Sequence, residues 1–398
     1  MKELNLYHKI AFGILCAGAF TNTYLLSPHL LLIRLGVLLV FCGLFFSKRI
    51  QLNAAFYAVC IFFFFYIAYT LLITMIYGRV ANLSTITDYL FILLLVIASL
   101  WFFCSRPSDN LRFFYYICCI NVIASFVIAM IEISTGWHLP TSNIHLLENQ
   151  SIATNGYPNF PTGFFHNKND FAVVFTLSFC YLMAYRIHFF RNRKKWVDWI
   201  FLTMCIALQW MVKCRTAIIT VAIFLLFTQR KKLSRHKMFL CISGVLFLIA
   251  VVVTFFFFHF NSTSIRTNLY LYSFASLFDS YCIGFGVEGD LYYYSQMDNY
   301  NLFSQIINAH SYLLQLLLTS GALFFIGYIV MLICLMREIA IRHGRNEFWI
   351  MIPLYVLLLF APSGSNCLWV HYLFLGTFVG YACLHPTLYE TKRELLCN

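Results

Sequence analysis

One histidine, His310, stands at the start of a strongly apolar stretch, NAHSYLLQLLLTSG. Histidine can accept and release a proton near neutral pH, so at such a position it could serve as a base on a substrate hydroxyl. The ordinary alternative is a histidine that only marks where water meets an apolar helix. The choice depends on which side chains the fold brings to the same place.

Three cationic residues have the chemistry to complete such a site. Lys168 lies in PTGFFHNKNDFA, an amide-rich turn at the head of an apolar helix, and helix N-termini favour anions. Arg215 opens a helix in KCRTAII, and Arg266 leads SIRTNLYLYSFASLFDSYCIGFG. Arginine suits bidentate recognition of phosphate. Together with His310, the set predicts chemistry on a diphosphate leaving group and on a hydroxyl that must lose its proton.

Each cation also has a structural interpretation. The HNKND turn can be a polar helix cap, Arg215 can extend towards water at the membrane surface, and Arg266 can bind lipid headgroups. The turn GFGVEGD that follows is a weak nucleotide signal, because no strand–helix unit surrounds it.

Two further residues are candidates for contact with a glycan. Asn169 supplies an amide in the HNKND turn, and Tyr293 lies, with Tyr292 and Tyr294 as further candidates, in the aromatic run LYYYSQMDNY. Aromatic faces commonly stack on sugar rings. The alternative for the tyrosines is a belt at the membrane interface.

No metal or other cofactor is predicted. The sequence has no DxD motif, and the acids Glu148, Glu288 and Asp290 are not paired at the spacing of metal ligands. The 15 cysteines lie mostly inside apolar runs without a CxxC pair. They are typical of small buried side chains rather than of a disulfide framework.

The composition predicts an all-α, polytopic membrane protein. Hydrophobic residues make up 61% of the 398 residues and charged residues 11%, against roughly 45–50% and about 25% in average soluble chains. Windows of about 20 apolar residues predict twelve spanning helices. They lie at about 9–26, 29–46, 54–77, 88–104, 113–134, 170–187, 197–213, 215–228, 238–258, 311–335, 348–362 and 367–385. Only KCR separates the short seventh and eighth, so eleven helices is the alternative.

Membrane orientation accounts for the net charge of +12. With both termini cytoplasmic, all but six of the 27 Lys and Arg fall on the cytoplasmic side, as the positive-inside rule requires. Binding to nucleic acid is therefore not predicted. Arg34, inside the second helix, is expected to pair with Glu132 or Asp88 or to meet a lipid phosphate. The six exceptions are Arg34, Arg79, Lys168, Lys213, Arg215 and Arg266.

One integral membrane domain is predicted to cover residues 1–398, with two long outer loops at about 135–169 and 259–310. All other connections are short. In the second loop, apolar residues at helical spacing after Arg266 predict an interfacial helix that lies along the membrane surface.

The order of these segments resembles the O-antigen ligase and polymerase family. The turn PTGFFHNKNDFA, then CRTA opening a helix, then an arginine-led segment that ends in GFG before AHSYLLQLLLTSG, carry the resemblance over residues 163–335. Members are bacterial membrane proteins that handle undecaprenyl-diphosphate-linked glycans on the outer face of the cytoplasmic membrane. The resemblance implies a multi-helix membrane glycosyltransferase fold of the GT-C-like type.

The resemblance also implies roles for individual residues. In the family's ligases two outer-face arginines hold the donor diphosphate, and their places match Arg215 and Arg266, with Lys168 nearby. A histidine acts as base on the acceptor hydroxyl, and its place matches His310. The implied partners are the undecaprenyl-diphosphate-linked oligosaccharide, membrane lipids, and the chain-length regulator and flippase of the same pathway. The implied location is the bacterial inner membrane, with the site facing the periplasm or exterior.

Several functions remain open at this point. A polymerase is favoured, because the Phe- and Tyr-rich, Gly-poor composition and the HNKND turn are closer to that branch. A ligase that transfers the glycan to lipid A–core would use the same residues. A flippase of lipid-linked sugar is less favoured, because it should place polar residues near mid-membrane, whereas here they gather at the outer boundary. A rod-shape-type cell-wall polymerase would need an outer-loop carboxylate, for which Asp290 is the candidate.

Overall fold

The computed structural model describes residues 2–21, 32–45, 53–138, 160–165, 168–190, 193–228, 261–296, 311–360 and 369–384. All regular structure within these ranges is α-helical. In chain order the helices are α1 (Lys2–Thr21), α2 (Leu32–Phe45), α3 (Ala54–Ile76), α4 (Leu83–Ser105), α5 (Pro107–Thr135), α6 (Lys168–Phe189), α7 (Lys195–Val212), α8 (Arg215–Thr228), α9 (Asn261–Asp279), α10 (Gly289–Ser295), α11 (Tyr312–His343), α12 (Met351–Leu359) and α13 (Val370–Cys383).

Among these helices, six are long and apolar enough to cross a membrane, namely α3 to α7 and α11. The 23 residues of α3 form about 34 Å of helix, and the hydrocarbon core of a bilayer is about 30 Å thick. Helices α2, α8 and α13 are apolar but shorter. The prediction of an all-α, multi-pass membrane protein is confirmed to this extent. The predicted helix at 238–258 lies outside the described residues.

Short connections make neighbouring helices antiparallel. Arg106 alone separates α4 from α5, and Pro107 takes the first position of α5, where a missing N–H costs no helical hydrogen bond. Lys213 and Cys214 separate α7 from α8, so the predicted break at KCR is confirmed. We define the upper face as the side on which α3 and α5 end and α4, α6 and α8 begin.

An ion pair joins the beginnings of α2 and α4 near the upper face. Arg34 Nη2 lies 2.9 Å from Asp88 Oδ1, and the guanidinium lies 5.8 Å from the centre of the Phe91 ring. Of the two carboxylates predicted for Arg34, Asp88 is therefore the partner. The pair neutralises a charge that would be costly alone among apolar helices.

Helices α4 and α13 pack closely because α13 carries two glycines one turn apart, in GTFVG. A Cβ at Gly376 would lie 2.2 Å from Ser99 Oγ, and a Cβ at Gly380 would lie 2.6 Å from Phe103 Cβ. Spacing of this kind lets helix backbones approach within a membrane, where burial of apolar surface gives no driving force between helices.

Helix α11 is interrupted at Gly321, and the chain reverses there. Gly321 has φ 70° and ψ −164°, far from helical values. The rings of Tyr312 and Tyr328 lie 5.6 Å apart, whereas sixteen residues of straight helix would separate them by about 24 Å. Residues 312–320 therefore run back alongside the start of 322–343. The span predicted at 311–335 thus falls on two helical segments, and only the second can cross the membrane.

Helix α9 occupies the second predicted outer loop and carries an apolar exposed stripe. Leu271 is 63% exposed, Phe274 44% and Phe278 83%. This spacing is the one expected of a helix lying on a membrane surface, and that location stays a prediction.

Candidate functional site

A buried carboxylate fixes the turn that leads into α6 at the upper face. Glu132 Oε2 accepts the backbone N–H of Thr162 at 2.8 Å and that of Gly163 at 3.1 Å. Its other oxygen lies 3.5 Å from His138 Nδ1. Gly163 has φ 56°, and a Cβ there would lie 2.5 Å from the Phe171 ring. Because a buried carboxylate needs such partners, Glu132 holds the turn in one conformation.

Two lysines meet over one aromatic ring of this turn. Lys168 Nζ lies 3.6 Å from the centre of the Phe160 ring, and Lys213 Nζ lies 5.5 Å from the same centre. Arg215 follows two residues after Lys213, exposed at the start of α8, and Asn169 is half-buried in the first turn of α6. The fold thus brings the predicted Lys168 and the Arg215 segment to one patch, with Lys213 as a third cation. We call Lys168, Lys213 and Arg215 the cation patch.

Arg266 lies in the first turns of α9, among residues whose backbone alone is described. One turn later, the Tyr270 hydroxyl donates a hydrogen bond to the carbonyl of Phe360, directly after α12. This hydrogen bond holds the segment of α9 that contains Arg266 next to the end of α12.

His310 lies just outside the described residues, so its side chain is not placed. The next residue, Ser311, donates from its Oγ to the carbonyl of Leu359 at 3.1 Å. Leu359 and Phe360 are consecutive, so the segments that carry His310 and Arg266 are anchored at the same end of α12.

Helix α12 links these two groups of residues. Its nine residues pack against α6, α8 and α11. Lys168 begins α6, Arg215 begins α8, and the residue before α11 is the neighbour of His310. The short helix α12 therefore contacts all three helices. The predicted donor-binding residues begin two of them, and the predicted base lies two residues before the third.

The backbone of the GFG turn is hydrogen-bonded within the protein. The N–H groups of Phe285 and Gly286 donate to the carbonyls of Leu318 and Thr319 at 2.8 and 2.9 Å. These carbonyls end the helical segment that stops at Gly321. The turn is buried, and buried backbone N–H and C=O groups need such partners, so its glycines have a structural role.

Arg79 holds this turn from the end of α3, a role that sequence analysis missed. Its guanidinium donates to the carbonyls of Phe285, at 2.9 Å, and Val287, and lies 4.4 Å from the centre of the Tyr292 ring. Burial lowers the pKa of Arg79, and the nearby Tyr292 and Glu288 oppose the shift. The sequence carries one signal for Arg79, which is that the predicted topology does not put it on the cytoplasmic side. Its partners in the structure lie more than 200 residues further along the chain.

Tyr293, predicted to contact glycan, is buried within the loop. Its hydroxyl donates to Asp279 Oδ2 at 2.6 Å, and its ring stacks on Phe285 at 5.0 Å. Burial, and then the Asp279 carboxylate, raise the pKa of this tyrosine. These contacts favour packing of the loop as the role of Tyr293, while Tyr292 beside it is partly exposed.

Among the described residues no group of three or more His, Cys, Asp or Glu side chains could hold a metal ion. Compared with known proteins, the chain matches no family model and no curated protein. The function is therefore inferred from the chain's own residues and their arrangement.

Proposed function

We propose that the protein is a glycosyltransferase that polymerises lipid-linked glycan on the outer face of the bacterial cytoplasmic membrane. It would move a glycan from undecaprenyl diphosphate onto a lipid-linked repeat unit of an O-antigen, capsule or exopolysaccharide. The observation that carries the proposal concerns α12. This helix packs against α6 and α8, which begin at the cation patch, and its end accepts a hydrogen bond from Ser311, the neighbour of His310. The resemblance to the O-antigen ligase and polymerase family supports the same reaction.

The cations would act on the donor. Lys168 and Arg215 supply positive charge where a diphosphate would arrive, and Arg266 is proposed to add a second guanidinium. Charge on the departing diphosphate rises as its bond to the sugar breaks, and fixed cations stabilise that charge more than they stabilise the ground state. Asn169, in the first turn of α6, would contact the glycan beside them.

His310 would act on the acceptor. Its neutral imidazole takes the proton of an acceptor hydroxyl while the hydroxyl oxygen forms a bond to the anomeric carbon of the donor sugar. The bond from that carbon to the diphosphate oxygen breaks, and its electron pair leaves with undecaprenyl diphosphate. The imidazolium then returns its proton to water.

The orientation is part of the proposal. Twelve spanning helices of the GT-C-like type, both termini in the cytoplasm and the upper face outside would put the Lys- and Arg-rich connections on the cytoplasmic side. The chain-length regulator and the flippase of the same pathway are the expected partners.

The test is the surface glycan of cells that lack this gene, analysed on gels after complementation. Wild type should restore long chains, and His310→Ala and Arg215→Ala should not, because one removes the base and the other a donor cation. Arg337→Ala, an exposed arginine at the other end of α11, is the matched control and should restore them.

The phenotype of the deletion separates the functions. A polymerase leaves lipid A–core with a single repeat unit. A ligase leaves bare core while long lipid-linked chains accumulate, and a flippase leaves lipid-linked units on the cytoplasmic face. Long chains made by His310→Ala would refute the assignment of the base.

A further inference from the structure

Lys213 has an unusual backbone for a lysine. It caps the end of α7 with φ 54° and ψ 36°, and its N–H donates to the Gln209 carbonyl. Glycine and asparagine are the ordinary residues at such a left-handed cap, because other side chains crowd the backbone there. A lysine at this position indicates that its side chain has a use that outweighs the strain.

The side chain of Lys213 points to that use. Its ammonium shares the Phe160 ring with the ammonium of Lys168, so two like charges lie beside one ring. Arg215 brings a third positive charge within two residues. In the part of the chain that the structure describes, Lys213 forms no ion pair with a carboxylate. The carboxylate of Glu132 is buried and accepts the backbone N–H groups of the turn.

Such an arrangement suits an anion with more than one charge. For Lys213, the contact with the Phe160 ring at this exposed position contributes only about 0.5–1 kcal/mol, which alone is a small gain for a lysine in a left-handed backbone conformation. A diphosphate carries charge on two phosphoryl groups. Arginine binds one such group through a planar fork, whereas lysine acts as a compact point charge.

We propose that Lys213 is a further diphosphate-binding residue, which together with Lys168 holds one phosphoryl group across the Phe160 ring while Arg215 holds the other. The inference deepens the proposed function and rests on it for the identity of the donor. A lipid headgroup could supply the same phosphate chemistry, so the experiment includes both sources.

The glycine variant tests the side chain without adding strain. Lys213→Gly removes the charge and suits the left-handed backbone, so the melting temperature of the purified full-length protein should stay the same or rise. Lys213→Arg keeps the charge. Lys195→Ala, an exposed lysine at the other end of α7, is the control.

Two measurements follow on these variants. With lipid-diphosphate-linked glycan as donor, kcat/KM should fall about tenfold in Lys213→Gly, as for one lost hydrogen bond to a charged group, and should stay near wild type in Lys213→Arg. Inorganic diphosphate should raise the melting temperature of wild type but raise that of Lys213→Gly much less.

The outcomes separate this inference from the proposed function. Wild-type kinetics and an unchanged diphosphate shift in Lys213→Gly would overturn the role of Lys213 while leaving the transferase intact. A diphosphate shift that depends on Lys213 in a protein without transferase activity would keep the anion site and refute the proposed function. If the variant loses only its preference for phosphatidylglycerol over phosphatidylcholine nanodiscs, Lys213 is a headgroup anchor and the inference is wrong.

Discussion

The substitution Gly321→Ala separates a reversed α11 from a straight one. In a continuous helix, replacing glycine by alanine stabilises the protein by about 1 kcal/mol. In the reversed chain, alanine at φ 70° and ψ −164° should instead be destabilising, because L-residues rarely adopt this conformation. The sign of the effect therefore tests the reversal.

The magnitude follows from the surroundings of Gly321. Forcing a non-glycine residue into such backbone angles costs of order 1–3 kcal/mol. A Cβ there would lie 2.1 Å from the Cys282 carbonyl oxygen and 2.6 Å from the Ile283 carbonyl carbon. Both are backbone atoms, so the chain must shift and the 2.9 Å hydrogen bond from the Ala322 N–H to Cys282 is lost, at about 1 kcal/mol. The sum predicts destabilisation of about 3 kcal/mol.

The assay is the free energy of unfolding of the purified protein in mixed micelles, with Gly327→Ala as control. Gly327 lies six residues further along the same helix, and a Cβ there would meet only the edge of the Phe62 ring at 3.2 Å. We expect the control to change the free energy of unfolding by less than about 1 kcal/mol. If the free energy of unfolding of Gly321→Ala equals or exceeds that of the wild type, the reversal is refuted.

Two further substitutions test buried polar groups. His371 is 1% exposed, and neither of its ring nitrogens has a hydrogen-bond partner among the described residues. His371→Phe should therefore raise the free energy of unfolding by about 1 kcal/mol. Tyr355→Phe deletes a 2.9 Å hydrogen bond to the His371 carbonyl and should lower the free energy of unfolding. A loss of stability in His371→Phe would contradict this reasoning. The raised pKa of Tyr293 in the folded state predicts a stability contribution that is complete below about pH 10 and is lost as pH rises towards the folded-state pKa. Tyr293→Phe should flatten that loss in alkaline unfolding curves, and equal curves for the two proteins would show that the hydroxyl does not titrate with unfolding.

Local properties of the sequence were enough to predict many of the elements. Apolar length predicts helices, and the charged KCR break predicts the boundary between α7 and α8, because both depend on neighbouring residues. For Arg34 the sequence left two carboxylates and a lipid phosphate as possible partners, and the structure selects Asp88.

The reversal at Gly321 could not be predicted from hydropathy. Residues 312–320 and 322–343 are both apolar, so a window average merges them into one long helix. The reversal depends on two segments that are distant along the chain. Gly284 and Gly321 both have positive φ, and a Cβ at Gly284 would lie 2.5 Å from the N atom of Gly321. Only packing joins them. The same holds for Glu132, which reaches the turn at Thr162 across thirty residues.

Polar residues are also distributed differently from the expectation that they gather at the outer boundary. Tyr66 and Thr319, whose hydroxyls lie 3.4 Å apart, are buried near the middle of α3. His371 is the second residue of α13. The carbonyl of the next residue, Tyr372, accepts a hydrogen bond from Ser99, which lies about 24 Å along α4 from its upper end. A flippase would also need buried polar groups at this depth, so the position of polar residues does not by itself separate a flippase from a transferase; the deletion phenotype does.

The arrangement around α12 favours the transferase despite those deep polar groups. A carrier must move its binding residues relative to one another, whereas a transferase must keep donor and base at a fixed separation. Here α12 packs against the two helices that begin with Lys168 and Arg215, and its end accepts hydrogen bonds from Tyr270 and Ser311, in the segments that carry Arg266 and His310. Any shift of α12 would move both anchors together. The chain thus ties its proposed donor and acceptor groups to a common element, as bond formation between two held substrates requires.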